Sequence, residues 1–227
     1  MASLNMLISE LAHSVQQADS VPVRRALRLG IIHARNEMIR KTYDNNRVTD
    51  KILQQRFKLS LIDVPDGDLV ITNNIPGCKI KRTTNKVPRP VRLTNNLPFH
   101  SVRTVGVVSN KEIPFVKEAS SQFYKHLPGM NNTDNYDYIN EYIYININLG
   151  IYLAGLKYLI VESVFEYPHL IQTETNSGLL NIDNISDDDE FLLPEDMISG
   201  VKKIVLETFN PQVVRQTNEI PTPNLVK

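Results

Sequence analysis

The 227-residue sequence contains no tryptophan and a single cysteine, Cys78. One thiol excludes an internal disulfide and a Cys-rich zinc site. It suits a reducing compartment, or a chain with no need of covalent staples. Cys78 sits beside Lys79, and a nearby cation lowers a thiol pKa, but with no recognisable His partner it reads as a small hydrophobe. No run of about 18 apolar residues occurs, so no membrane span is expected. The opening Met1-Ala2-Ser3-Leu4-Asn5 lacks a basic stretch followed by an apolar one, and predicts no secretory signal. The five histidines, His13, His33, His100, His126 and His169, show no metal-ligand spacing. Nucleophile-elbow, P-loop and Gly-x-Gly-x-x-Gly patterns are missing. An enzyme reading therefore has no local support, and no cofactor or metal is expected. No repeat with a period of 20–50 residues is visible.

What is present starts with charge. The net charge is zero, from 25 Lys+Arg and 25 Asp+Glu. Residues 1–126 hold 20 of those cations and 10 of the acids, whereas residues 127–227 hold 5 and 15. Two readings follow. The halves neutralise each other within one subunit, or they fold onto different faces so that copies meet head to tail and close a ring. An apolar fraction of 41% is enough for a buried core.

Periodicity predicts an α+β fold: a helical bundle of N-terminal helices plus a C-terminal helix, with an embedded antiparallel β module. Residues 1–58 form the N-terminal helical segment. Leu4, Leu7, Ile8, Leu11 and Val15 make one helical stripe behind an N-cap at Ser3. A second helix follows Ser20, with Pro22 in its first turn and Val23, Leu27, Ile31, Ala34 and Met38 as its apolar stripe. Residues 43–46 read as a turn, and Thr49 or Asp50 caps a third helix to about Lys58.

Residues 59–170 form the β-rich module. Its expected strands are 58–64, 69–71, 101–108, 142–147 and 158–165, with turns at 65–68 and 73–77 and a short helix over 115–126. Pro88 and Pro90 place the extended segment 79–93 at a sheet edge or outside the sheet. Residues 171–192 read as a polar acidic loop. Residues 193–210 form a C-terminal helix that packs on the N-terminal helices and ends at Pro211, and 211–227 is an extended tail.

Two charged stretches are candidate surfaces. Lys79, Lys81, Arg82, Lys86, Arg89, Arg92 and Arg103 fall in a stretch without an acid. A row of cations on a Pro-stiffened strand can track a phosphate backbone or meet an acidic neighbour, or it can be a solvated edge. Phe99 is the only aromatic there, which argues against base stacking. Asp187, Asp188, Asp189 and Glu190 alternate in direction on an extended segment and do not converge on a cation. They read as a solvated acidic loop or as partners for a neighbouring subunit's cations.

The run from Lys79 to Leu93, with its Pro88-Arg89-Pro90 core, followed by Leu97-Pro98-Phe99, resembles structural proteins of crAss-like bacteriophages. The aromatic stretch Tyr138 to Ile145 and the helix entry Leu193-Pro194-Glu195-Asp196-Met197 extend the likeness over residues 20–210. The resemblance implies a head-to-tail connector or neck ring protein of adaptor type. It also implies a homo-oligomeric ring of 12 copies, a portal protein and other neck or tail rings as partners, and packaged double-stranded DNA passing through. The expected location is the virion neck or tail, after synthesis in the host cytoplasm. Two other readings stay open: a small basic-faced nucleic-acid-binding protein, and a metal-dependent enzyme built on the acidic loop.

Overall fold

The computed structural model describes residues 2–64, 68, 79–105, 111–117, 128, 134–147, 155–173, 178–181 and 186–217. The chain forms two compact units. One joins Met1–Ile52 to Ser186–Lys227, and the other is Leu53–Ile185. The class is α+β, with a helical unit interrupted in sequence by an antiparallel β unit.

The helical unit holds α1 (Leu4–Ser14), α2 (Val21–Asn46) and α3 (Glu195–Thr217). Ser3 caps α1, its hydroxyl accepting the Met6 N–H at 3.2 Å. Leu4, Leu7, Ile8 and Leu11 are buried, as the stripe requires. Helix α2 ends only where Arg47 turns left-handed (φ 56°) and returns its N–H to the Tyr43 carbonyl at 2.7 Å. Residues 43–46, expected as a turn, are therefore the last helical turn. Leu27, Ile31, Ile32, Ala34 and Ile39 of α2 are buried, as are Phe191, Leu193 and, on α3, Met197, Val201 and Val205. Helix α3 passes through Pro211 to Thr217 rather than stopping there. A proline within a helix removes one backbone donor, which weakens the ladder locally without always ending it.

The third helix expected to about Lys58 is not formed. A 3₁₀ turn covers Lys51–Leu53, with Asp50 Oδ1 accepting the Ile52 N–H at 3.0 Å, and a strand starts at Gln55. Burial at Phe57, Leu59 and Leu61 has a period of two, so the segment can bury that face only when extended.

The β unit contains β1 (Gln55–Asp63), β2 (Lys79–Thr83), β3 (Ser101–Thr104), β4 (Asn135–Ile139), β5 (Tyr142–Ile147) and β6 (Tyr158–Ser163). Their order is β3-β6-β1-β2-β5-β4, antiparallel throughout. Strand β1 switches partners along its length, with residues 55–60 on β6 and residues 61–63 on β2. The outer strands β3 and β4 are linked through residues 111–116. Ile113 N–H donates to Val102 O at 2.8 Å and Thr104 N–H to Lys111 O at 3.0 Å. On the far side Tyr136 N–H donates to Pro114 O, and Val116 N–H to Tyr136 O, both at 3.0 Å. The curled sheet is thereby closed into a barrel, which leaves neither outer strand open to edge pairing along this stretch.

Inside lie Phe57, Leu59 and Leu61 of β1, Val102 of β3, Ile143 and Ile145 of β5, and Leu159 and Val161 of β6. Phe99 packs among Tyr136, Tyr138 and Phe165, edge-on to Tyr138 at 5.0 Å. Tyr138 to Ile145 is not one strand but a hairpin. Asn140 and Glu141 both have positive φ (52° and 69°), the two-residue turn whose twist matches its flanking strands.

Residues 171–192, expected as a single loop, include a short ribbon of β7 (Gln172–Thr173) and β8 (Leu180–Asn181). Where a helix was expected over 115–126, Phe115 is extended and bridges Tyr136 in parallel, while 118–126 lie outside the described residues. The expected strand 69–71, the turn 73–77 and Cys78 also lie outside them.

Candidate assembly surfaces

Folding cancels the charge polarity of the sequence. The helical unit carries 12 Lys+Arg and 13 Asp+Glu, and the β unit 13 and 12. Each is close to neutral, because the acidic C-terminal stretch folds with the basic N-terminal helices. The reading in which the halves neutralise each other within a subunit therefore describes this fold.

The basic row is dispersed rather than aligned. Strand β2 lies between β1 and β5, not at an edge, so Lys81 and Arg82 point to opposite faces. Lys81 stands across from Ile145 and reaches Asp63 at 3.2 Å. Arg82, on the outer face, donates to Asp68 at 2.6 Å and lies 4.8 Å from the Tyr142 ring centroid. Tyr144 Oη donates to the same carboxylate at 3.1 Å. Lys79 begins β2.

Beyond β2 the chain leaves the sheet and becomes a strap. Val87 and Val91 are buried, with their N–H groups on Glu141 O and Val164 O at 2.7 and 2.8 Å. Tyr138 Oη donates to Val87 O at 3.0 Å, and burial pushes that phenol up to about 12. The cations beside and between these anchors face outward. Arg89 Nε and Lys86 Nζ both donate to the Glu141 carboxylate, at 2.8 and 3.2 Å. Those hydrogen bonds, Arg89's first, hold the carboxyl below the usual range. Arg92 is exposed, with no ion pair among the described residues. Of the seven cations of the basic row, Lys81, Arg82, Lys86 and Arg89 are engaged by acids of their own unit.

The acidic turn is likewise tied down. Arg28 donates to Asp187 at 2.7 Å, and Asn5 Nδ2 to Asp188 at 2.8 Å. Asp189 N–H donates to Ser186 O at 3.2 Å, and Glu190 bridges Ser3. These contacts belong to a ladder of arginines along α2. Arg24 donates to Asn5 and Ser9, at 3.0 and 3.1 Å. Arg35 is fully buried; its guanidinium donates to Leu192 O at 2.9 Å and Asn36 Oδ1 at 3.1 Å and faces the Phe191 ring. Burial pushes it down to about 9, which leaves it charged at neutral pH. Arg35 lies off the apolar stripe of α2, and the periodicity of the sequence gives no sign of this role.

Two further cations escaped the sequence reading because residues to 58 were expected to be helical. On β1 the positions alternating with buried Phe57 and Leu59 are Arg56 and Lys58, which face outward. In register across the sheet, Leu179, Lys58, Ile160, Arg103 and Glu112 form one row. Arg56, Glu162 and Ser101 form the next. Lys58 Nζ lies 4.6 Å from the Tyr158 ring centroid. Among the described residues, Arg56, Lys58 and Arg103 make no ion pair. Glu190, Glu195 and Asp196 of the helical unit are exposed and likewise make none. A period-two reading of 55–61 finds the first two cations.

The described residues hold no group of three or more His, Cys, Asp or Glu able to bind a metal ion, and no helix long and apolar enough to cross a membrane. The sequence is similar to structural proteins of phage tails. The match is to a family described as phage tail ring protein 2 and runs over residues 5–224. The chain belongs to that family, a ring protein family of crAss-like phages, and is a virion component. None of the curated proteins matches it.

Proposed function

We propose that the chain is a non-enzymatic subunit of a closed ring at the head-to-tail junction. It bridges portal and tail, stacks with other neck or tail rings, and surrounds the conduit for packaged double-stranded DNA in 12 copies. One observation carries this reading: the family match spans both units, so a ring-building role belongs to the whole chain and not to one module. The engaged cations support it further. Phosphate contacts add up along DNA, so a lumen lined with free cations would hold the duplex. In this chain most of the basic row already has carboxylate partners. A wall of that kind lets DNA pass.

Electron microscopy of the native virion tests the reading. A closed ring of this chain in the neck is expected. Its absence from the neck, or its presence there as isolated copies, overturns it. Duplex DNA binding by the free chain is expected to be weak at about 0.15 M salt. A steep salt dependence with tight binding would mark a nucleic-acid-binding protein instead.

A further inference from the structure

The outer face of β3, β6 and β1 has the anatomy of a protein interface. Its centre is apolar and aromatic, with Ile160 between Lys58 and Arg103 in register and Tyr158 under the Lys58 ammonium. Around it stand Arg56, Lys58 and Arg103, cations without an ion pair among the described residues. Tyrosine and arginine about an apolar centre are the residues that anchor protein contacts. The barrel closure removes β3 as a pairing edge, so side chains rather than backbone hydrogen bonds must carry any contact here. Glu162 and Glu112 sit in the same rows as the arginines. Carboxylates inside a cationic patch repel a polyanion and suit a partner of mixed charge.

We infer that this face grips the next copy of the chain in the ring, with Glu190, Glu195 and Asp196 of that neighbour as its acidic counterpart. The inference rests on the ring reading and gives it a surface. Arg56 and the three acids are exposed, Lys58 and Arg103 are half-buried, both sets lack ion pairs among the described residues of one chain, and they are opposite in sign. The patches differ, so the contact is heterologous, and repetition of such a contact builds a ring when the rotation closes. The complementary charges set register and orientation more than raw affinity.

Carbodiimide treatment of purified virions tests this, because it joins a lysine amine only to a carboxylate already in contact. The dimer-mass band of this chain is expected to contain Lys58 linked to Glu190, Glu195 or Asp196. A ring whose dimer band links other lysines and never Lys58, or whose Lys58 is protected by DNA and released by nuclease, overturns the inference while leaving the ring reading intact. A virion without the ring removes the ring reading itself. Phage carrying Arg56→Glu with Arg103→Glu should lose incorporated copies at least tenfold. Adding Glu195→Lys and Asp196→Lys to the same chain restores complementarity and should bring incorporation back to within about twofold. If the fourfold variant folds, by circular dichroism, and is still excluded, the inference fails.

Discussion

The helical unit and the barrel are both nearly neutral, yet they reach neutrality differently. In the helical unit, beside local pairs within one helix such as Lys41 with Glu37, some partners come from opposite ends of the chain. Arg28 and Asp187 lie 159 positions apart, and Lys202 and Glu10 lie 192 apart. These contacts, with buried Arg35 among them, tie the acidic turn and the last helix to the first two. In the barrel the pairs are nearer in sequence and act on strand, loop and strap, as with Arg82 and Asp68, 14 apart. The barrel's apolar interior does not depend on them. Long-range charge pairs in the helical unit are thus part of the fold, whereas those on the barrel are not, and each unit keeps some charge free for assembly, Glu190, Glu195 and Asp196 on one and Arg56, Lys58 and Arg103 on the other.

That contrast is broken most directly at the largest contacts of each unit. Phe99→Ala removes a fully buried ring from a cluster of four aromatics and should cost about 4 kcal/mol. Eight of the nine tyrosines belong to the barrel unit, so tyrosine fluorescence during urea unfolding reports on it. A loss below about 1 kcal/mol would show that Phe99 does not fill the barrel end. Arg35→Ala should cost the helical unit about 3 kcal/mol, because Leu192 O and Asn36 Oδ1 lose a charged donor inside the core. Ellipticity at 222 nm follows that unit. Arg35→Lys keeps the charge but not the fork, and should recover only part of the loss.

These sites also mark what the sequence allowed to be read. The stripe of α1 and its cap at Ser3 were legible because period and cap agree. Strand β5 was legible because alternating aromatic and β-branched residues have no competing helical period. The segment 50–57 was misread because Asp50 offers a helix cap while Phe57, Leu59 and Leu61 demand a strand that starts earlier, and burial decided it. The α+β class and the ring family were within reach, but the partners of the cations were not. Asp63 meets Lys81 through β-sheet register, and Asp68 and Glu141 meet Arg82 and Lys86 through loop and strap placement, neither of which composition encodes. The burial of Arg35 was not legible, because it lies off the apolar stripe and nothing local signals a carbonyl 157 residues away.

A smaller effect of opposite sign is expected at Gly30, inside α2. A Cβ there would meet Val205 and Phe209 at 3.6 and 3.7 Å, ordinary contact distances. Gly30→Ala should therefore stabilise the helical unit by up to about 1 kcal/mol, since alanine loses less backbone freedom and no neighbour must move. A destabilised variant in the same urea assay would mean that α2 and α3 pack more tightly than these distances state.

The smallest effect belongs to Glu141, where the barrel's own charge pairs are tested. Glu141→Gln removes the anion shared by Lys86 and Arg89 and should cost no more than about 1 kcal/mol, because the pairs are solvent-accessible. Its pH dependence is more telling than its size. The folded carboxyl lies below its ordinary value, so the unfolded chain takes up protons first as the pH falls. The stabilisation is complete above about pH 4.3, the unfolded value, and is lost as the pH drops through the lowered folded one. A side-chain NMR titration of Glu141 should give a midpoint below that of a model glutamate, and Lys86→Ala with Arg89→Ala should return it to the ordinary range. A midpoint that ignores those two substitutions would mean the strap is held by Val87 and Val91 alone. The outward cations would then join Arg56, Lys58 and Arg103 as charge available to a neighbour, and the contrast between the two units would sharpen.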